Sequence, residues 1–215
     1  MKNIKLESCE YSDKFLSRMY ELNKEAVEKL NIDYIKKGLA FAKYYHGSQM
    51  RKSGEPYYTH PIIVAEMVAE KKFKEDSIIG ALLHDTVEDT TLTSDEIKSE
   101  FSPRVSQIVD RLTRKINPET GKKMSAGECL IQSFLLKDDD VILIKMLDRF
   151  HNISTIKNLS IKKQIENINE TNWIFFPIAL TKNYNLFFPN IISSDDSSNL
   201  LFLASQNTSS SNNKQ

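Results

Sequence analysis

The sequence is poor in cysteine and in long apolar runs, and each shortage excludes a class of protein. Its two cysteines, Cys9 and Cys129, share no short spacing and fit neither a disulfide framework nor a thiolate metal site. No stretch approaches the roughly 18 uncharged residues that a membrane-spanning helix needs, and the N-terminus has lysines but no apolar signal segment. We therefore expect a cytoplasmic protein that neither spans nor binds a membrane.

Net charge is also missing, because 29 basic and 29 acidic side chains cancel. Without a global field the chain has no general attraction to nucleic acid or to an anionic membrane surface. Any phosphate binding must therefore come from a local cluster of basic residues. We expect no nucleic acid partner, and the composition leaves the oligomeric state open.

Apolar residues recur at helical spacing along most of the chain, whereas strand-like alternation and hairpin dipeptides are scarce. The signals that mark helix starts are Pro61, the pair Thr93 and Glu96, Ser102 with Pro103, and Asp138 to Asp140. We interpret the three aspartates as a helix cap rather than as a metal site. The sequence predicts an all-α domain over residues 1–185, followed by a polar, disordered tail over residues 186–215.

One short segment, ALLHDTVEDT from Ala81 to Thr90, concentrates ionisable side chains at the end of an apolar run. Glu88 and Asp89 stand four residues after His84 and Asp85, so on one continuous helix all four groups would face the same spot. A metal ion over that spot is one interpretation. The other is an ordinary solvated helix end, which is the commoner explanation for an arbitrary string of this kind.

Further candidates for a metal ligand lie outside this segment. His60 stands next to a predicted helix start, and Asp148 interrupts the apolar residues of the predicted helix from Val141 to about Ile156. An unpaired carboxylate in so apolar a helix would be costly to bury, so Asp148 needs a cation. A metal ion and the neighbouring Arg149 are both possible partners, and the pattern does not choose between them.

Three longer strings together resemble a known family. They are RKSGEPYYTHP from Arg51 to Pro61, ALLHDTVEDT, and VILIKMLDRFHN from Val141 to Asn152. In this order they resemble the hydrolase domain of the RelA/SpoT family, a branch of the HD superfamily of metal-dependent phosphohydrolases. The resemblance implies an all-helical bundle that uses manganese to remove pyrophosphate from the 3′ position of guanosine tetra- and pentaphosphate (ppGpp and pppGpp). Such an enzyme would lower the level of the stringent-response alarmone.

The resemblance also assigns roles to individual residues. It implies that the metal ligands are His60, His84, Asp85 and Asp148. Two imidazoles and two carboxylates suit Mn²⁺ without excluding Fe²⁺, Zn²⁺ or Co²⁺, so manganese itself rests on the resemblance. Glu88 and Asp89 match the pair that positions and activates the attacking water.

The guanine nucleotide is expected to meet a second group of residues: Arg51, Lys52, Ser53, Asn152 and Thr155. Arginine can grip phosphate or stack on a base, and lysine adds a point charge, although an exposed basic turn would look the same. We expect the remaining two histidines, His46 and His151, to be structural and to lie outside the metal shell.

Several departures from the family pattern leave alternatives open. Ser102 and Pro103 stand where a glycine is usual, VDRLTR replaces VDGVTK at Val109 to Arg114, and the resemblance fades after about Ala179. Since the chain ends without a synthetase domain, we expect a hydrolase alone or a remnant of a longer ancestor. The rival hypotheses are the same metal centre acting on another nucleotide, as a nucleotidase or an NADPH phosphatase, and a non-catalytic alarmone-binding protein.

Overall fold

A computed structural model describes residues 2 and 4–184, and it contains helices and no β-strand within that part of the chain. The all-α prediction is therefore confirmed. The α-helices are α1 Glu10–Glu25, α2 Ile32–His46, α3 Thr59–Lys71, α4 Glu75–Leu83, α5 Thr86–Asp89, α6 Ser94–Glu100, α7 Pro103–Leu112, α8 Ala126–Leu135, α9 Asp139–Ser154, α10 Ile161–Glu170 and α11 Phe176–Thr181. A 3₁₀ turn, Ile156–Asn158, follows α9.

The chain divides into two compact units, Met1–Asn158 and Leu159–Gln215. The first unit contains α1 to α9, and the second contains α10 and α11. A π-helical turn, Thr171–Phe175, lies directly before α11. Pro177 explains this turn, because proline has no N–H to offer the carbonyl four residues earlier. The predicted boundary after residue 185 and the predicted polar tail fall outside the described residues.

Helix starts follow the capping signals in the sequence. The Thr93 hydroxyl accepts a hydrogen bond from the Glu96 amide at 3.2 Å, and the Glu96 carboxylate accepts one from the Thr93 amide at 3.0 Å. Ser102 accepts from the amide of Val105 at 3.0 Å, with Pro103 in the first turn of α7. These side chains satisfy amides that the helix itself leaves without partners, which is why the helices begin where they do.

Helix α4 lies at the centre of the first unit, where it packs against α2, α3, α7 and α9. Its residues from Ser77 to Leu83 are all buried. Gly80 permits the close approach of α7, because a methyl group at that position would lie 2.5 Å from Cγ2 of Ile108. Helix α3 in turn packs against both α4 and α9. His60 lies on α3, Asp148 lies on α9, and His84 directly follows α4.

The predicted continuous helix through Ala81 to Thr90 is wrong, because α4 ends at Leu83 and the short α5 begins at Thr86. At the break, side chains donate hydrogen bonds to carbonyls near the end of α4. His84 Nδ1 donates to the Ala81 carbonyl at 2.7 Å, and the Thr86 hydroxyl donates to the Leu83 carbonyl at 2.7 Å. Such local side-chain hydrogen bonds compete with the helical ones and bend the chain.

The acidic start of α9 caps that helix, as predicted, and also forms an ion-pair network. Asp138 accepts from the amide of Val141 at 3.4 Å. Arg104 of α7 contacts Asp138 at 2.5 Å and Asp140 at 2.7 Å. Further cations contact these two carboxylates: Arg111, Lys72 and Lys74. The network joins the start of α9 to α7 and to the turn between α3 and α4.

None of the described helices is long and apolar enough to cross a membrane.

Candidate metal centre

The histidines His60 and His84 lie at the adjoining ends of two packed helices. His60 is in the first turn of α3, and His84 directly follows the last residue of α4. Both are almost fully buried, and their ring centroids are 5.1 Å apart. The helix packing that forms the core therefore also brings these two imidazoles together.

The hydrogen bonds of His84 determine which of its nitrogens is free. A carbonyl oxygen can only accept, so the contact with Ala81 fixes the proton of His84 on Nδ1. The opposite nitrogen, Nε2, is buried and has no hydrogen-bond partner within the described part of the chain. Nε2 is therefore the nitrogen of His84 that can bind a metal ion, in place of the proton that it carries when the imidazole is charged.

Two aspartates complete the cluster. Asp85 Oδ2 lies 3.2 Å from His84 Nε2 and 3.8 Å from His60 Nε2. Asp148, from α9, brings its Oδ1 to 3.0 Å from His60 Nε2 and 3.8 Å from His84 Nε2. Potential ligand atoms of His60, His84 and Asp85 all lie within 4.8 Å of one another. The four predicted ligands are therefore neighbours, although they come from distant parts of the sequence.

The electrostatics of the cluster favour a cation. Burial opposes charge on each group, but the Asp85 and Asp148 carboxylates outweigh it and raise the pKa of His84 to about 9. Despite the same burial, the two histidines hold the pKa of Asp85 and of Asp148 well below the usual range. A site of this kind attracts positive charge, and its nitrogen and oxygen donors without thiolate fit Mn²⁺ and similar divalent ions.

Tyr57 is a site residue that the sequence analysis missed. Its hydroxyl lies 2.9 Å from Asp85 Oδ2 and 3.2 Å from Asp89 Oδ2, so the two carboxylates share its single hydrogen-bond donor. Burial, and then those two carboxylates, raise the pKa of Tyr57, which keeps the hydroxyl a neutral donor. Its position three residues before His60 could have indicated this contact.

Glu88 and Asp89 differ sharply in their surroundings. Glu88 accepts from the Arg114 guanidinium and backbone amide, and it also pairs with Lys123 at 2.8 Å. Burial would raise the pKa of Glu88, but Arg114 and Lys123 hold it below its usual value. Asp89 is exposed as a whole residue, but its carboxylate is partly shielded from water. This shielding, together with the negative charges of Asp85 and Glu88, raises the pKa of Asp89. Asp89 is therefore the better proton acceptor of the two.

The predicted nucleotide-binding residues fall into two places. Arg51, Lys52 and Ser53 form a tight turn closed by a hydrogen bond from the Arg51 amide to the Glu55 carbonyl at 2.9 Å. Lys52 is exposed, and the Ser53 hydroxyl donates to the Glu55 carboxylate at 2.8 Å. Gly54 has φ +90°, a conformation that suits glycine and lets the turn reverse.

Asn152 links this turn to the metal cluster. Its Nδ2 donates to Asp148 Oδ1 at 2.6 Å, and its Oδ1 accepts from Arg51 at 3.5 Å. Thr155 directly follows α9, with its hydroxyl 3.4 Å from the carbonyls of His151 and Asn152. The structure therefore brings Arg51 and Asn152 to the Asp148 end of the centre, whereas the described hydrogen bonds of Thr155 stay within the end of α9. Binding of a nucleotide by these residues stays a prediction.

The two remaining histidines both contact site residues. His46 is buried, stacks on the Tyr57 ring at a centroid distance of 4.7 Å, and has its Nδ1 2.9 Å from Gln49 Oε1. His151 meets His60 edge to edge, with ring centroids 4.8 Å apart and Nδ1 atoms 2.7 Å apart. Burial, and then the neighbouring His60, lower the pKa of His151 to about 4.

Comparison with known proteins identifies the family. Residues 38–182 match the family described as the HD domain. The chain is 37% identical over 155 residues to GTP pyrophosphokinase of Myxococcus xanthus, a match that covers 69% of this chain and 20% of that protein. It is 36% identical over 173 residues to guanosine-3′,5′-bis(diphosphate) 3′-pyrophosphohydrolase of Aquifex aeolicus, covering 76% of this chain and 25% of that protein.

A solved structure supports the same fold. It is described as a metazoan ortholog of SpoT that hydrolyses ppGpp, and it matches with a TM-score of 0.54 and 20% sequence identity. The match covers 72% of this chain and 98% of that one. By contrast, the chain spans only about a fifth to a quarter of the two curated relatives. The chain therefore belongs to the HD domain family, in the RelA/SpoT branch that its three motifs predicted.

Proposed function

We propose that this domain hydrolyses guanosine 3′-diphosphate 5′-di- or triphosphate, releasing pyrophosphate from the 3′ position and leaving GDP or GTP. The observation that carries the proposal is the convergence of His60, His84, Asp85 and Asp148 beside the carboxylate of Asp89. Similarity to a protein named as a 3′-pyrophosphohydrolase supports this choice of substrate.

The donor set supports a single divalent ion, which we propose to be Mn²⁺. His60 and His84 would offer imidazole nitrogens, and Asp85 and Asp148 would offer carboxylate oxygens. At such a site a divalent ion supplies Lewis acidity, which activates water and stabilises negative charge on phosphoryl oxygens. Asn152 holds Asp148 by its 2.6 Å hydrogen bond, and Tyr57 holds Asp85 by its 2.9 Å hydrogen bond.

Asp89 is the proposed general base. It is exposed, its pKa is raised, and Tyr57 orients it from 3.2 Å. Glu88 is held by Arg114 and Lys123, so we assign it a positioning role in which its ion pairs keep the end of α5 in place. This assignment separates two residues that the motif alone treats as an equivalent pair.

The bond changes balance without any covalent enzyme intermediate. The oxygen of water bonds to the phosphorus that carries the 3′ oxygen, and one water proton passes to Asp89. The bond between that phosphorus and the 3′ oxygen breaks, and the 3′ oxygen keeps the electron pair and takes a proton from solvent to become a hydroxyl. Asp89 returns its proton to solvent. Arg51 and Lys52 would bind the polyphosphate by charge-assisted hydrogen bonds.

The decisive experiment measures pyrophosphate release from guanosine tetraphosphate by protein supplied with Mn²⁺. Asp148→Asn should abolish turnover, and Asp89→Asn should lower kcat by about 10²–10⁴-fold, the usual contribution of a general base. Asp33→Asn, which removes an exposed carboxylate on α2, serves as the matched control. Folded protein that releases no pyrophosphate with any divalent ion would refute the proposal.

Isotope labelling tests the position of attack. In water enriched in ¹⁸O, the label should enter pyrophosphate and not the guanosine nucleotide, because water attacks phosphorus. A panel of other nucleotides, including NADPH, tests the substrate. If one of these is turned over faster than guanosine tetraphosphate, the proposed metal centre stands but the proposed substrate is wrong.

A further inference from the structure

His60 makes its closest described contact with another histidine. Its Nδ1 lies 2.7 Å from Nδ1 of His151, and the two rings meet edge to edge with an angle of 29° between their planes. Two bare lone pairs would repel each other at this distance, and two N–H groups would clash. A single hydrogen must therefore lie between the two nitrogens.

The metal cluster decides which histidine donates that hydrogen. His60 Nε2 faces the cluster, 3.0 Å from Asp148 Oδ1. A nitrogen that binds a metal ion carries no proton, so in the metal-bound protein the proton of a neutral His60 is on Nδ1. His60 is then the donor, and His151 must accept with an unprotonated Nδ1.

We propose that His151 is a positioning residue that holds His60 as the Nδ1–H tautomer and leaves His60 Nε2 free to bind the cation. The Ala81 carbonyl does the same for His84, at the same distance of 2.7 Å. The inference rests on the metal centre of the proposed function and is independent of its substrate. It also gives His151 a role that a packing histidine would not have.

His151 and the proposed ligand Asp148 belong to the same helix. His151 follows Asp148 by three residues on α9, so the two side chains lie on one face of the same helix. One helix therefore supplies both a proposed ligand, Asp148, and the group that orients another ligand, His60. A shift of α9 would disturb both at once.

The test compares two variants of His151. His151→Leu keeps an apolar side chain in the space but offers no acceptor, and we expect Mn²⁺ affinity to fall by about 10–100-fold, the usual effect of losing such an orienting group. His151→Asn provides an amide oxygen that can accept from His60, and it should restore most of the affinity. Asp33→Asn, which changes an exposed carboxylate on α2, is the control and should leave the affinity unchanged.

Nuclear magnetic resonance reads the tautomer directly. The chain has four histidines, so long-range ¹H–¹⁵N spectra of Zn²⁺-loaded protein can be assigned by single substitutions. We expect the proton of His60 on Nδ1 and that of His151 on Nε2. His151→Leu should change the His60 signals, whereas Asp33→Asn should leave them in place.

Three results would overturn the inference: a protonated Nδ1 on His151 in the metal-loaded protein, unchanged metal affinity in His151→Leu, or equal losses in the Leu and Asn variants. If His151→Leu does not fold, the wild-type spectrum and the affinity of His151→Asn decide. Because no nucleotide is present, tight metal binding without pyrophosphate release would refute only the proposed function.

Discussion

Replacing Gly80 with alanine tests the packing that positions His84. The new methyl group would lie 2.5 Å from Cγ2 of Ile108, about 1 Å shorter than an optimal carbon contact of about 3.5 Å. Ile108 is fully buried and β-branched, so this methyl cannot rotate away easily. Overpacking of this kind destabilises the folded protein by about 1–3 kcal/mol, whereas alanine is about 1 kcal/mol more favourable than glycine inside a helix. Since the contact is severe, we expect a net loss of about 1–2 kcal/mol in the free energy of unfolding.

A double-mutant cycle isolates the contact. Ile108→Ala removes Cγ2 and should cost about 2–5 kcal/mol alone, but in the Gly80→Ala background it should cost about 2 kcal/mol less. Ile108→Val keeps a methyl group at the branch, so it should relieve almost none of the strain. Urea unfolding followed by circular dichroism measures all of these variants. Gly80→Ala protein as stable as wild type, or equal behaviour of the Ala and Val variants, would refute the close approach of α4 and α7.

Three further expectations follow from features of the first unit. Thr93→Ala should destabilise the protein by about 1 kcal/mol in urea unfolding, because it removes the hydroxyl that accepts from the Glu96 amide, while the hydrogen bond from the backbone amide of residue 93 to Glu96 remains. Although burial opposes its charge, surrounding cations lower the pKa of Asp140 in the folded protein. Its stabilisation is therefore complete above the unfolded pKa of about 4 and is lost as pH falls toward the folded pKa. Asp140→Asn should lower stability by about 2 kcal/mol at pH 7 and by less near pH 3, and an equal deficit at both pH values would contradict this. Mn²⁺ at about 100 times its Kd should raise the free energy of unfolding by about 2.7 kcal/mol, an increase that Asp148→Asn should lose and Asp33→Asn should keep.

Local signals in the sequence were sufficient for much of the fold. The caps at Thr93, Ser102 and Asp138 predicted where three helices start, because each depends on a hydrogen bond within three residues. The break after Leu83 was not predicted. It depends on His84 and Thr86 donating to carbonyls, and the spacing of the motif alone does not show that competition.

The site was predictable only where the family motifs reach it. The motifs pointed to four separated ligands, and helix packing brings those four together. The surroundings of Glu88 depend on Arg114 and Lys123, which stand 26 and 35 residues later in the chain, and no local pattern indicates that pairing. The contact between His60 and His151 spans 91 residues and needs coordinates to be seen.

The break between α4 and α5 also has a consequence for protein engineering. His84 and Thr86 bond there to carbonyls only three residues before them, and the segment contains no proline. Residues 81–86 should therefore be transplantable, so that grafting this hexapeptide onto the end of a designed helix gives a corner with an imidazole already oriented.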